Sequence, residues 1–383
     1  MAATDEPTAE LETRRGGGLL AASNALLAAA IALPGAHAHA QTAPDQGVIA
    51  LKYLDYRDWQ PGAARMHVKT PALFALKPLS DTVTVEGSVV YDSISGASPL
   101  HHDTLSGASG IGITEYRTAG DVKVTKYFGR YAVGVGGAVS SERDYLSRAG
   151  SVDVRWWSDD HNTTLAAGIG GASDRIDSVN QVAVGRARQT LDFLIGVTQV
   201  LTAQDIVRSN VTYSTGHGYY SDPYKLLDTR PDRRRVLAWL TRLNHHFASH
   251  DSTLQLGYRL LHDSFGDDAH TFEVAWVQPL PRGFTLTPSL RYTTQSAADF
   301  YFDPPFPRGF RRGASYTADT RLSAFGAITA GLKVSVELAQ GWTVDVKWQG
   351  YRQRSSWRLG GGGSPGLEPF SARWFELGIA KTL

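Results

Sequence analysis

The chain has 383 residues, 38 Lys and Arg against 37 Asp and Glu, and no Cys. A net charge of +1 supplies no electrostatic footprint for nucleic acid. The absence of cysteine excludes disulfides, thiolate-held metals and cysteine-held iron–sulfur clusters.

The first predicted element is a targeting segment. Arg14 and Arg15 precede an apolar stretch from Leu19 to Leu33, then Pro34-Gly35 and Ala38-His39-Ala40. This three-part pattern predicts a signal peptide over 1–40. Its apolar run is short for a membrane span. The remainder, 41–383, reads as one domain of period-two alternation. Val83, Val85, Val89 and Tyr91 face away from Thr82, Glu86 and Asp92. Phe284, Leu286, Leu290 and Tyr292 oppose Thr285, Thr287, Ser289 and Arg291, with Pro288 an awkward ladder member. Leu322, Ile328, Leu332, Val334, Val336 and Leu338 share one parity. Trp342, Val344, Val346 and Trp348 alternate with Thr343, Asp345, Lys347 and Gln349. The last strand carries Phe375, Leu377, Ile379, Lys381 and Leu383 on one face.

Alternation alone does not separate a soluble sandwich from a transmembrane barrel. The connections do. Tight turns are expected near Pro78–Asp81, Gly129, Asp159–His161, Thr202–Gln204, Ser249–Asp251, Pro281-Arg282 and Gln340. Longer loops are expected at Trp59–Thr70, Ser95–Gly110, Arg143–Arg148, Ile176–Arg186, Gly218–Pro231, Asp263–Ala269, Ala298–Ala314 and Ser356–Glu368. Phe128, Tyr131, Phe284 and Trp342 flank the tight turns like an interfacial girdle. The fold class is therefore all-β, a transmembrane antiparallel β-barrel of about 16 strands, with short periplasmic turns and longer extracellular loops. Its place is the outer membrane of a Gram-negative bacterium. The expected partners are outer-membrane lipid, lipopolysaccharide and the barrel-assembly machinery. The inward parity mixes both signs, as at Glu86, Arg117, Lys123, Asp153, Arg155, Asp192, Arg291 and Lys347.

One phrase occurs twice: Asp92-Ser-Ile-Ser-Gly-Ala-Ser98 and Asp103-Thr-Leu-Ser-Gly-Ala-Ser109. It resembles the acceptor motif of flavinylated proteins, in which a flavin transferase esterifies the last hydroxyl with FMN phosphate. That resemblance makes Ser98 and Ser109 the acceptors, with Asp92, Asp103, Gly96 and Gly107 around them. The plain structural alternative is a loop, because Asp and Ser-Gly-Ala-Ser are good turn material. Together with Arg143-Asp-Tyr-Leu-Ser147, Ser221-Asp-Pro-Tyr-Lys225 and Gln295-Ser-Ala-Ala-Asp-Phe-Tyr-Phe302, the phrase looks like those of an uncharacterised Gram-negative outer-membrane barrel family, a domain of unknown function. The resemblance implies an association with flavin transferases and periplasmic redox proteins, and no established catalytic residues.

Tyr219, Tyr220, Tyr224, Phe300, Tyr301, Phe302 and Phe306 gather in the predicted loops, where loop packing and lumen closure outweigh stacking on a ligand. Arg308, Arg311 and Arg312 share that rim and suit phosphate. His101 and His102 lie between the two phrases, and the adjacent His245 and His246 point to opposite faces. No nucleophile elbow, zinc-protease motif or phosphate loop is present. Three functions stay open: a barrel bearing covalent FMN for envelope or extracellular electron transfer, a porin or ligand channel without cofactor, and a barrel-embedded hydrolase. The reading leans toward a redox carrier or transport protein over an enzyme.

Overall fold

Residues that alternate along each strand separate onto two walls in space. A computed structural model describes residues 43–96, 113–225, 228–303 and 314–383. Sixteen strands close into one antiparallel barrel, each beside its neighbour in sequence, with the first paired to the last. In chain order they are β1 Val48–Gln60, β2 Ala63–Ser80, β3 Val83–Gly96, β4 Ile113–Phe128, β5 Tyr131–Ser141, β6 Tyr145–Trp157, β7 Thr163–Ile176 and β8 Arg186–Val200. The second half is β9 Asp205–Gly218, β10 Arg233–Phe247, β11 Ser252–Asp263, β12 Asp268–Leu280, β13 Phe284–Gln295, β14 Phe325–Leu338, β15 Trp342–Arg354 and β16 Phe370–Thr382. Closure is direct: Val48 pairs with Thr382, and Trp59 with Ser371. It leaves no free sheet edge.

The walls are inverted relative to a soluble protein. Ile195 is 63% exposed while its strand-mate Asp192 is 1% exposed. Leu51, Val89, Val122, Val135 and Leu290 lie open on the outside. Glu86, Lys123, Asp153, Arg291 and Lys347 are buried inside. An outside of this kind is compatible with hydrocarbon and not with water, so this is an outer-membrane barrel. The girdle is present: Phe128, Tyr131, Phe284 and Trp342 are exposed beside the short turns. Lys381 reaches back to the Gln340 carbonyl and lies 5.5 Å from the Trp342 ring, so its charge sits at the rim.

The turns obey hairpin chemistry. Arg282-Gly283 and Gln340-Gly341 both have positive φ at two successive residues, as a two-residue turn between right-twisted strands requires. Pro288 stays in β13 by an identifiable device: its ladder to β14 is intact at Leu332, while the ladder to β12 skips Thr287 and Pro288. The missing N–H therefore falls in a gap.

Two expected loops are strands instead. β1 and β2 meet in a tight turn at Pro61-Gly62, so the predicted loop Trp59–Thr70 belongs mostly to the 18-residue β2. Its outward His67 and Lys69 break the apolar alternation because this part of the strand rises above the apolar band, and a register shift opposite Arg57–Trp59 turns Arg65 inward. The connection after β5 is also short, over residues 142–144. Leu322 is not a strand residue; it is buried within a loop.

Candidate functional site

A sixteen-strand barrel is too wide for side chains to fill it, and comparable barrels leave an aqueous channel. The inner wall here is laced with acid–base pairs. Arg65 lies 3.8 Å from Asp58, Arg117 2.5 Å from Asp92, and Arg188 2.7 Å from Asp174. Lys123 reaches Asp153 at 2.6 Å, Arg291 reaches Glu273 at 3.5 Å, and Lys347 reaches Glu376 at 3.6 Å. Arg234 pairs with Asp263. All seven pairs join different strands, so each ties the wall circumferentially. The Lys123–Asp153 pair crosses β5, lying over Gly134, where any Cβ would strike both partners. Asp345 lies over Gly378 in the same manner.

On the long-loop rim the connections fold into a common cap. Three of them, 219–232, 264–267 and 296–324, share one apolar cluster of Phe265, Ala298 and Leu322, with Tyr220, Phe300 and Tyr301 against it. Backbone hydrogen bonds between Thr229 and Tyr316 join two of them at 2.8 and 2.9 Å. Beside the cluster six charges interlock. Asp319 accepts from Arg321 Nε (2.8 Å) and Arg230 (2.7 Å), and lies 3.2 Å from Lys225. Asp228 accepts from Arg230 Nε (2.9 Å) and Thr317 Oγ1 (2.6 Å). Asp222 accepts from Arg321 at 2.9 Å. Three carboxylates thus meet three cations. Burial works against charge on Asp319, yet Arg321, Lys225 and Arg230 hold its carboxyl well below the usual range. Burial pulls Lys225 down to about 8. It pushes Asp267 up to about 8, with Asp263 adding to the rise and Arg234 and Arg230 opposing it.

The cap leans on inward-facing wall residues. Arg188 lies 5.0 Å from the Tyr220 ring and Arg234 4.9 Å from the Phe265 ring. Other loops are tied in. Asn180 donates to the Pro223 carbonyl (2.8 Å), Tyr224 donates to Asp144, and Gly366 N–H donates to Asp303 (3.1 Å). The described loop aromatics Tyr219, Tyr220, Phe300 and Tyr301 therefore pack against apolar clusters, the packing their gathering in the sequence predicts.

Of the sequence-predicted cofactor residues, the structure describes Asp92 and Gly96. Asp92 lies on β3 with its carboxylate turned inward, accepting from Thr70 Oγ1 (2.5 Å) and Arg117 Nε (2.6 Å). Gly96 ends β3, opposite Met66 and Ile113. Ser98, Asp103, Gly107 and Ser109 lie outside the described residues, as do His101, His102, Phe306, Arg308, Arg311 and Arg312. His245 bonds Asp205 at 2.7 Å while His246 faces Asp251 at 3.7 Å, so the two imidazoles do diverge. A hydroxyl and an imidazole meet at Ser249 and His250 (2.7 Å). They sit in the turn after β10, not on the lipid-facing wall the hydrolase reading needs, and no carboxylate orients His250 among the described residues.

The six-charge cluster escaped the sequence reading, although a signal exists. The tripeptide Asp-Thr-Arg occurs at 228–230 and again at 319–321, and both copies are in the cluster.

The sequence matches the family described as "Protein of unknown function (DUF3570)" over residues 23–110 and 106–374. No curated protein matches it. Among solved structures it is similar to CdiB from Acinetobacter baumannii, with a TM-score of 0.50 and 8% identity over 87% of this chain and 60% of that one. It is also similar to the siderophore receptor PirA from Acinetobacter baumannii (TM-score 0.44, 9% identity, 82% and 53% covered). A further likeness is to OccK9 (OpdG) from Pseudomonas aeruginosa (TM-score 0.43, 10% identity, 88% and 98% covered). The chain spans less than two thirds of the length of CdiB and PirA. The likeness to CdiB is one of fold.

Proposed function

Given that the chain belongs to the family described as Protein of unknown function (DUF3570), a description that names no activity, we propose from its geometry that this outer-membrane barrel is a diffusion channel for small polar solutes, narrowed by its loop cap. The observation that carries this reading is the inner wall: seven cross-strand acid–base pairs line a sixteen-strand barrel. A wall that presents both signs in register favours water and polar solutes and repels neither anions nor cations strongly. The test is conductance of the purified barrel in planar bilayers. Steady conductance is expected, with cation and anion permeabilities within about a factor of two. A barrel that stays sealed, or one that passes a single sign, contradicts the reading.

A second reading rests on the duplicated phrase. Ser98 and Ser109 would each carry FMN through a phosphate ester, and the isoalloxazine would supply redox chemistry that the chain's own side chains lack. The rim position requires delivery before insertion or through the lumen. Mass spectrometry of the peptide spanning both copies, after coexpression with a flavin transferase, decides it. A flavin-sized increment on either serine supports the reading, and the bare peptide mass removes it.

A further inference from the structure

The outside wall is not uniformly apolar, and one part breaks the charge balance seen within. On the seam of β15, β16, β1 and β2, near the long-loop rim, Arg352, Arg373, Arg57 and Lys69 are all exposed and all point outward. Arg57 stands directly beside Arg373 on one side and His67 on the other. Asp55 stands beside Lys69. Asp55 is already engaged by Arg57 Nε (3.0 Å) and His67 Nε2 (2.8 Å). Among the described residues neither Lys69 nor Arg373 has an acidic partner. Like charges directly opposite on a sheet repel. Inside the barrel seven cross-strand pairs each match one cation to one carboxylate; here four permanent cations face one.

Immediately toward the membrane centre the same strands form an apolar groove of about 580 Å³. Leu51, Tyr53, Leu73, Val89, Leu377 and Ile379 line it. The next outward residue above Tyr53 is Asp55, and the next above Pro71 is Lys69. Trp59 stands higher on β1, 6.0 Å from the Arg373 guanidinium and exposed at the depth where indole rings settle at an interface. With the long loops outside the cell, this rim lies in the outer leaflet.

We propose that this seam binds a phosphorylated, acylated glycolipid of the outer leaflet, with phosphate on Arg57, Arg373 and Lys69 and an acyl chain in the groove below. Guanidinium forks match phosphate oxygens in geometry and charge. The acyl chain explains why cations and groove share the same strands. The binding is independent of what passes through the lumen.

The test uses the full barrel refolded in detergent, titrated with bisphosphorylated lipid A and followed by native mass spectrometry. Discrete lipid A adducts are expected on the wild-type barrel. Arg57→Gln/Lys69→Gln/Arg373→Gln together should weaken their retention at least tenfold, while Arg233→Gln/Arg235→Gln, on the rim at β10, should not. Heat-modifiable gel mobility establishes that each variant is folded. Dephosphorylated lipid A offered to the wild-type barrel supplies a test that needs no variant, and it should not be retained. Equal retention of the dephosphorylated lipid, or equal losses in the two sets of variants, would overturn the proposal.

Discussion

Asp319 is the residue on which the cap turns. Its side chain is fully buried and serves Arg230, Arg321 and Lys225 at once. Asp319→Asn leaves three cations facing two carboxylates in a dry site. Removing one partner from a buried pair typically costs about 3–5 kcal/mol. The expected outcome is a folded barrel whose cap becomes open to trypsin at Lys225, Arg230 and Arg321, with a larger conductance. Unchanged protection would show that the apolar cluster around Phe265 holds the cap alone. Asp267 adds a pH dependence. Its folded pKa, about 8, lies above the ordinary carboxyl value, so its contribution is fully present at acid pH and is lost as pH rises through about 8. The groups facing it are Asp263, Arg234, Arg230 and Asp319. Lys225 acts in the opposite sense, and only above about 8. Amide hydrogen exchange in the cap should therefore quicken between pH 6 and about 8 beyond its intrinsic rise, and Asp267→Asn should abolish the excess. An identical profile in the variant would contradict this assignment.

At the scale of elements, the strands were the most legible part of the chain. Lipid outside and polar lumen inside impose a period of two, and β15 carries it without a break from Trp342 to Lys347. The long connections were legible by composition only, because what they do depends on partners distant in sequence. Nothing local says that the Asp-Thr-Arg at 228–230 will meet its copy at 319–321. The stretch from Ala63 to Thr70 was misread as a loop because its outward residues meet headgroups, not acyl chains, so the apolar half of the pattern is missing. Small residues were legible as turn formers and not as clearances. Gly134 is the instructive case, since the Lys123–Asp153 pair needs the space that a side chain would fill. Gly134→Val is expected to destabilise the barrel by about 1–3 kcal/mol, as overpacking does. It should also lower the temperature at which the folded gel band converts to the unfolded one. An unaltered transition would mean that the pair relocates without cost.

The whole molecule joins a greasy exterior, a charge-balanced interior and a cap of interlocked loops. Each has a separate physical origin: lipid contact, pairing of charges away from bulk water, and burial of loop aromatics. Because the chain has no cysteine, each wall can be addressed one residue at a time. The most direct test places single cysteines along β15 and adds a charged, membrane-impermeant thiol reagent to barrels conducting in a planar bilayer. Cysteines at Thr343, Asp345, Lys347 and Gln349 should react and reduce the current, while those at Val344, Val346 and Trp348 should be inert. Reaction at the second set, or reaction at the first set with no change in current, would contradict a water-filled polar lumen within a lipid-facing wall.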